Sequence, residues 1–207
     1  MKIAIIGSGH IGGGLGRAWA KKKHEVVFGA RDAKDADLVT LCKEIGASAA
    51  EIGPACAGAE VVVFAMPFGA IDDVLRAAGA LAGKVVIDCT NAVEWATKSL
   101  KYGHTTSAAE ELQKKIPGAR VFKSFNAQGA ENLANPVYNG VAASNFFCGD
   151  DAEGKKKVKQ LVEDVGFEAI DAGSLQAARL IEPMMMLWIA ASQSVGSRDI
   201  AFKVLKR

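Results

Sequence analysis

Several things are scarce in this sequence of 207 residues, and each scarcity excludes a class of protein. There are five prolines, aromatic residues make up 7% of the chain, and half of it is apolar with 23% charged. That balance excludes a disordered or low-complexity chain and allows a proper core. No sign of charge dominates: 25 basic residues face 23 acidic ones, for a net charge of +2. Charge alone therefore gives no reason to expect a nucleic-acid or membrane-surface partner. No apolar run approaches the roughly 18 to 20 residues that a membrane span needs; the longest, around residues 184–191, falls well short. No signal-peptide pattern precedes the first apolar run, so a cytoplasmic protein is expected. Cysteine is scarce too. Cys42, Cys56, Cys89 and Cys148 form no C-x-x-C, and none of His10, His24 and His104 is spaced as a metal partner. Reduced thiols and no metal centre are the expectation.

The length fits one generous domain, or one domain with a small appendage. Short apolar runs predict strands over residues 2–6, 23–28, 47–50, 61–65, 84–88, 119–122, 143–148 and 167–171. Helical spacing of apolar residues predicts helices over 11–22, 35–45, 54–57, 68–81, 105–115, 151–165 and 175–195. Strand and helix alternate without internal repeats. The pattern predicts an α/β fold of the Rossmann type, a doubly wound, mostly parallel sheet with helices on both faces and a small helical portion at the C-terminus.

Gly7-Ser8-Gly9-His10-Ile11-Gly12 is a G-x-G-x-x-G between the first strand and the first helix. In that position one glycine allows the tight turn, one lets a pyrophosphate approach the backbone, and one lets helix and strand lie close. Phosphate oxygens would meet the free N–H groups at the helix start. The structural alternative is a turn that only permits close packing, a role suited to Gly13, Gly14 and Gly16. The second strand ends Phe28-Gly29-Ala30-Arg31, with no carboxylate at its tip. Arg31 follows the glycine turn by about twenty residues, where the residue reading the adenosine ribose belongs. A planar guanidinium suits a 2′-phosphate, with Lys34 near enough to assist, so NADP(H) is expected over NAD. Asp32 argues mildly the other way, or serves as cap to the next helix.

Asn91 and Asn126 each follow a strand, where ligands collect in open parallel sheets; local turn capping is the alternative. Met66-Pro67 turns the chain off the fourth strand. Cys89 lines the same region without a partner that would make it a nucleophile. His10 either contacts phosphate or faces solvent, His24 is expected as a surface connector, and His104 lies in a loop that could reach the cleft. The stretch 183–189, Pro-Met-Met-Met-Leu-Trp-Ile, is apolar all round a helix and must be covered, by core or by a second copy of the chain.

Taken together, these segments resemble the NADPH-dependent coenzyme F420 reductases, and the same pattern is similar to the reductase domains of the STEAP metalloreductases. The likeness runs through the glycine turn, Gly29-Ala30-Arg31, Ala65-Met66-Pro67, Asp88-Cys89-Thr90-Asn91, Phe125-Asn126-Ala127-Gln128-Gly129-Ala130, Leu133-Ala134-Asn135-Pro136 and Cys148-Gly149-Asp150-Asp151. It continues through Asp171-Ala172-Gly173-Ser174-Leu175 and Ala178-Arg179-Leu180-Ile181-Glu182-Pro183. The resemblance implies hydride transfer between NADP(H) and a small-molecule acceptor, coenzyme F420 or another flavin-like ring. It also implies a homodimer and a two-part protomer, divided here as residues 1–172, binding NADP, and 173–207, helping to form the acceptor cleft. By position, Ser8, Gly9, His10 and Ile11 would line the pyrophosphate and Arg31 the 2′-phosphate. Met66, Pro67 and Asn91 would lie along the nicotinamide half, and Asn126 to Ala130 would border its carboxamide. Many members carry Ser or Thr where Ala30 stands, which leaves more of the 2′-phosphate to Arg31. No acid–base residue is expected, because hydride transfer between ring carbons needs stacking, orientation and exclusion of water rather than a proton relay. Two other functions fit the same residues. One is a non-catalytic NADP(H)-sensing module; the other is a reductase of a small imine or ketone, whose relatives carry a longer C-terminal helical domain than this chain offers.

Overall fold

Apolar strands with no polar face must be covered on both sides, and this chain meets that demand with one central sheet. The computed structural model describes residues 1–207. Its strands are β1 (Lys2–Ile6), β2 (Glu25–Ala30), β3 (Ser48–Glu51), β4 (Val61–Phe64), β5 (Val85–Asp88), β6 (Val93–Glu94), β7 (Ser99–Leu100), β8 (Arg120–Lys123), β9 (Val137–Tyr138), β10 (Val141–Ala142), β11 (Ser144–Gly149) and β12 (Glu168–Asp171). The helices are α1 (His10–Lys21), α2 (Ala36–Ile45), α3 (Ile52–Gly58), α4 (Ile71–Ala78), α5 (Ala108–Lys115), α6 (Ala152–Val165) and α7 (Ala178–Val195). Eight strands form the main sheet in the order β12-β11-β8-β5-β4-β1-β2-β3. Side chains alternate across it. Ile3 and Ile5 join a cluster of 24 buried residues on one face, while Ala4 and Ile6 join 22 on the other, so neither face is left to water.

Strand order reverses beside β1, which pairs with β2 on one side and β4 on the other, both parallel. Loops leaving β1 and β4 therefore diverge to opposite faces and open a crevice at the sheet's C-terminal edge. β5 and β8 continue the parallel run. β11 then pairs antiparallel with β8 through Cys148 and Gly149, and β12 follows β11 in parallel. The sheet is thus mostly parallel, with a reversed pair of strands at one side.

Element ends differ from the expected ones for local reasons. β2 starts at Glu25 rather than at 23 because Lys23 takes φ 63 in the turn after α1. The helix expected over 68–81 is a 3-10 turn, Phe68–Ala70, followed by α4, and Gly79 at φ 70 stops it. α5 begins at Ala108 because the Ser107 side chain accepts a hydrogen bond from the Glu110 N–H and caps it. His24 is not the surface connector expected. Its ring is 6% exposed, with Nε2 2.9 Å from the Asp164 carboxylate on α6 and Nδ1 3.3 Å from the amino group of Met1.

After α7 the chain returns across the domain: the Ile200 carbonyl accepts from Trp188 Nε1 and Asn132 Nδ2, and the Phe202 carbonyl accepts from the Ser144 N–H. α7 is also tied to α5 by a two-pronged ion pair, Arg179 to Glu110, at 2.7 and 2.8 Å. The hydrogen bond from Arg179, joined by one from Ser107, holds the Glu110 carboxyl below the usual glutamate range against the opposing effect of burial. A lowered folded-state pKa contributes stability that is complete above the ordinary glutamate value of about 4.3 and is lost as pH falls through the lowered one. Glu110→Gln is therefore expected to reduce stability at neutral pH and to flatten the acid limb of a melting-temperature profile between about pH 5 and 2. An acid limb as steep as in the unaltered protein would contradict that role.

Candidate dinucleotide-binding site

At the end of β1 the backbone comes closer to itself than a side chain would permit. Gly7 sits at φ 105, and a Cβ on it would stand 2.6 Å from the Ala65 carbonyl oxygen. A Cβ on Gly12 would lie 1.9 Å from the Gly7 oxygen. Both glycines are steric necessities that press α1 against β1 and β4. Gly9 is different: at φ -68 its missing Cβ faces nothing within 4 Å. Space is kept open at the one place where the turn would have to admit a phosphate. α1 has no side-chain cap and no acidic residue in its first turn, which leaves its first N–H groups and positive end free for an anion. Ser8, Gly9 and His10 are exposed and Ile11 is half-buried. A cleft of about 430 Å³ runs from this turn between α1 and α2. The extra glycines pack as expected, Gly14 beneath Leu133 and Gly16 beneath the Phe28 ring.

β2 lies beside β1 with Gly29 opposite Ile6, so Arg31, two residues on, projects at the same edge as the turn. Arg31 and Lys34 are both exposed. Asp32 is exposed too, and its carboxylate accepts from the Lys34 N–H of the same loop at 2.8 Å. It does not cap the next helix; Asp35 does, accepting from the Leu38 N–H at 3.0 Å.

Across the crevice, Met66-Pro67 follows β4, Asn91 follows β5 and Asn126 follows β8, all at the ends of parallel strands. The two asparagines are not local turn caps. Asn91 Nδ2 donates to the Asn126 carbonyl and Asn126 Nδ2 to Asn91 Oδ1, each at 3.1 Å, and Asn126 Nδ2 also reaches the Ile181 carbonyl on α7. Phe125 just before takes φ 58, a conformation side chains rarely adopt. Asn126 Oδ1, Thr90 Oγ1 and Gln128 Nε2 are buried without any hydrogen-bond partner. Orphaned polar atoms are rare in protein interiors because each costs about 1–3 kcal/mol. All three stand in the loops that follow β5 and β8, at the crevice end of the sheet. Ala130 opens the 3-10 turn Ala130–Leu133, which carries Leu133 over Gly14 and so joins the two halves of the site.

Behind the asparagines lies a group that the sequence reading did not single out. Lys123 at the tip of β8 is fully buried, its ammonium 2.9 Å from Asp88, 3.2 Å from Glu182 of α7 and 2.6 Å from the Thr90 carbonyl. Glu182 also accepts from the Ala108 and Ala109 N–H groups at the start of α5, and Asp88 from the Thr90 N–H. Burial opposes the lysine's charge, but its attraction to both carboxylates and its hydrogen bonds to them outweigh burial and raise its pKa. The available signals were a lysine ending the run Arg-Val-Phe-Lys and a glutamate inside an apolar helix. Cys89, beside Asp88, is buried; burial first and the Asp88 charge second push its thiol far up, so it lines the site as an unreactive thiol. His104 is exposed in the loop before α5 at φ 54.

The family model described as "NADP oxidoreductase coenzyme F420-dependent" matches residues 2–92. The F420-dependent NADP reductase of Methanothermobacter thermautotrophicus is 30% identical over 211 residues, covering 91% of this chain and 88% of that protein. Metalloreductase STEAP3 of Rattus norvegicus is 29% identical over 90% of this chain, which spans only 37% of that longer protein. A solved structure from Arthrobacter sp. FB24, provisionally assigned as an F420-dependent NADP-reductase, superposes with a TM-score of 0.91 at 31% identity over the full length of both chains.

Two substitutions separate binding from folding here. Gly9→Ala, placed in open space, is expected to leave the denaturation midpoint unchanged while weakening dinucleotide binding at least about tenfold, roughly the loss of one charged hydrogen bond. Unchanged affinity by fluorescence titration would show the turn to be structural only. Lys123→Met strands two buried carboxylates and is expected to destabilise the fold by about 3–5 kcal/mol in a urea titration.

Proposed function

Because the chain belongs to the family of coenzyme F420-dependent NADP oxidoreductases, we propose that it transfers a hydride between NADP(H) and a cyclic acceptor, a deazaflavin such as F420 or another flavin-like ring. One observation carries this reading: along a single sheet edge stand, in order, a guanidinium, an open anion-receptive turn and a set of orphaned amide and hydroxyl atoms. Their chemistry follows the length of NADP from 2′-phosphate through pyrophosphate to carboxamide. Arg31, with Lys34, binds the 2′-phosphate. Gly7, Ser8, Gly9, His10, Ile11 and Gly12 form the turn that receives the pyrophosphate. Met66, Pro67 and Asn91 flank the nicotinamide, and Asn126, Thr90 and Gln128, with the loop to Ala130, hold its carboxamide.

The cofactor, when bound, supplies or takes the hydride; the protein's own residues hold the ring flat, fix which face is presented and keep water out. No side chain has to move a proton for that. Residues 173–207 contribute one wall, since Ile181 of α7 fixes Asn126. α7 itself buries Met185 and Trp188 but leaves Leu180, Leu187 and Val195 exposed at 74%, 57% and 65%. That uncovered stripe favours a homodimer whose second copy covers α7 and helps enclose the acceptor. No helix is long and apolar enough to cross a membrane, and a cytoplasmic setting suits both cofactors.

Arg31→Ala is expected to raise the Kd for NADPH by about tenfold to a hundredfold, the loss of a charged hydrogen-bonding group, and to leave NADH binding nearly unchanged. Equal weakening of both would count against a 2′-phosphate role. The reaction is tested by following NADPH oxidation with F420, FMN and FAD offered separately. Turnover with at least one is expected; tight NADPH binding with no turnover on any would favour a sensing module instead.

A further inference from the structure

The buried ion group behind the asparagines is unbalanced, and its place suggests what the imbalance does. Two carboxylates, Asp88 and Glu182, share one ammonium, Lys123, and all three side chains are at most 3% exposed. Every carboxylate oxygen accepts a hydrogen bond or an ion contact. Asp88 Oδ1 takes the Thr90 N–H and Oδ2 the lysine; Glu182 Oε2 takes the Ala108 N–H, and Oε1 takes both the Ala109 N–H and the lysine. Donors thus meet every oxygen of both groups, the pairing that suits two carboxylates, and two carboxylates against one ammonium leave the group with an excess negative charge. The start of α5 offsets that with about half a positive charge. The remainder is negative and sealed from water, where screening is weak.

This charge sits directly behind the loops proposed to hold the nicotinamide. Thr90, whose carbonyl binds Lys123, precedes Asn91, and Ile181, whose carbonyl binds Asn126, precedes Glu182. Oxidised nicotinamide is a cation; taking up a hydride makes it neutral. We infer that Asp88, Glu182 and Lys123 are positioning residues whose net negative charge favours the oxidised cofactor over the reduced one and so lowers the potential of the bound couple. The inference rests on the NADP(H) reading above and adds to it. Groups that hold the pyrophosphate and the 2′-phosphate meet both redox forms alike and cancel in the comparison. The ion group does not cancel, because the ring's charge is the one thing that changes. A low bound potential drives hydride from NADPH toward the acceptor.

The test is the ratio of dissociation constants for NADP+ and NADPH, measured on the full chain by equilibrium dialysis and fluorescence titration. In the unaltered protein NADP+ is expected to bind more tightly than NADPH. Glu182→Gln and Asp88→Asn, each removing one negative charge from a different element, are expected to raise the ratio of the NADP+ constant to the NADPH constant by about threefold to tenfold, as for a charge some 10 Å away in a partly screened interior. A role in packing alone would weaken both forms together and leave the ratio fixed, which overturns the inference. NADPH binding more tightly than NADP+ in the unaltered protein overturns it as well, whether or not either variant folds. Failure of both forms to bind is a different result and sinks the functional reading with it.

Discussion

The contact between Gly12 and the Gly7 carbonyl governs the geometry of everything else at this sheet edge. A side chain on Gly12 would lie 1.9 Å from that oxygen, so only glycine lets α1 approach β1 this closely. The approach aims the uncapped start of α1 at the crevice beside β1 and β4, where strand order reverses. An anion-receptive helix end is thereby fixed within the reach of Arg31 on one side and of the asparagine loops on the other. If α1 were displaced outward, the free N–H groups would no longer line up with those two flanks, and the edge would hold three unrelated features instead of one extended site.

The two flanks are held by different physics. On the proposed adenosine side the groups are exposed, and charge with geometry would do the work: Arg31 stands in solvent, and Asp32, also exposed, accepts from the Lys34 N–H through one carboxylate oxygen. On the proposed nicotinamide side polar groups are buried and fixed by one another. Asn91 and Asn126 cross-link two loops, and the ion group ties β5, β8, α5 and α7 at one point. Buried ion pairs add little net stability compared with apolar packing, but losing one partner is costly. Their value here is position. A stiff, dry wall behind a flat ring would serve the proposed hydride transfer, whose rate depends on distance and angle.

The fold was legible because its signals are strong and local. Apolar runs such as Val61–Phe64 and Val85–Asp88, alternating with amphipathic helices, leave few topologies open, and the glycine turn marks the first crossover. The antiparallel β11 was not legible, since a strand buried on both faces reads alike in either direction. The hairpins β6–β7 and β9–β10 were missed because two-residue strands carry no period, although Asn139-Gly140, both at positive φ, is a turn signal that could have marked the second. Of the candidate site, the residues that the sequence marks are those attached to motifs. The Lys123 group, and the His24 contact elsewhere in the fold, were not legible, because the partners Asp88, Glu182 and Asp164 lie far away in sequence and only the folded chain brings them together.

The central claim is that this edge holds NADP(H) in one polarity, adenosine toward β2 and nicotinamide toward β5 and β8. A crystal structure of the protein with NADP+ tests it most directly. The account requires the 2′-phosphate against Arg31, the pyrophosphate over Gly9, and the carboxamide paired with Asn126, Thr90 or Gln128. A dinucleotide bound elsewhere, or lying along this edge in the opposite sense, would contradict it.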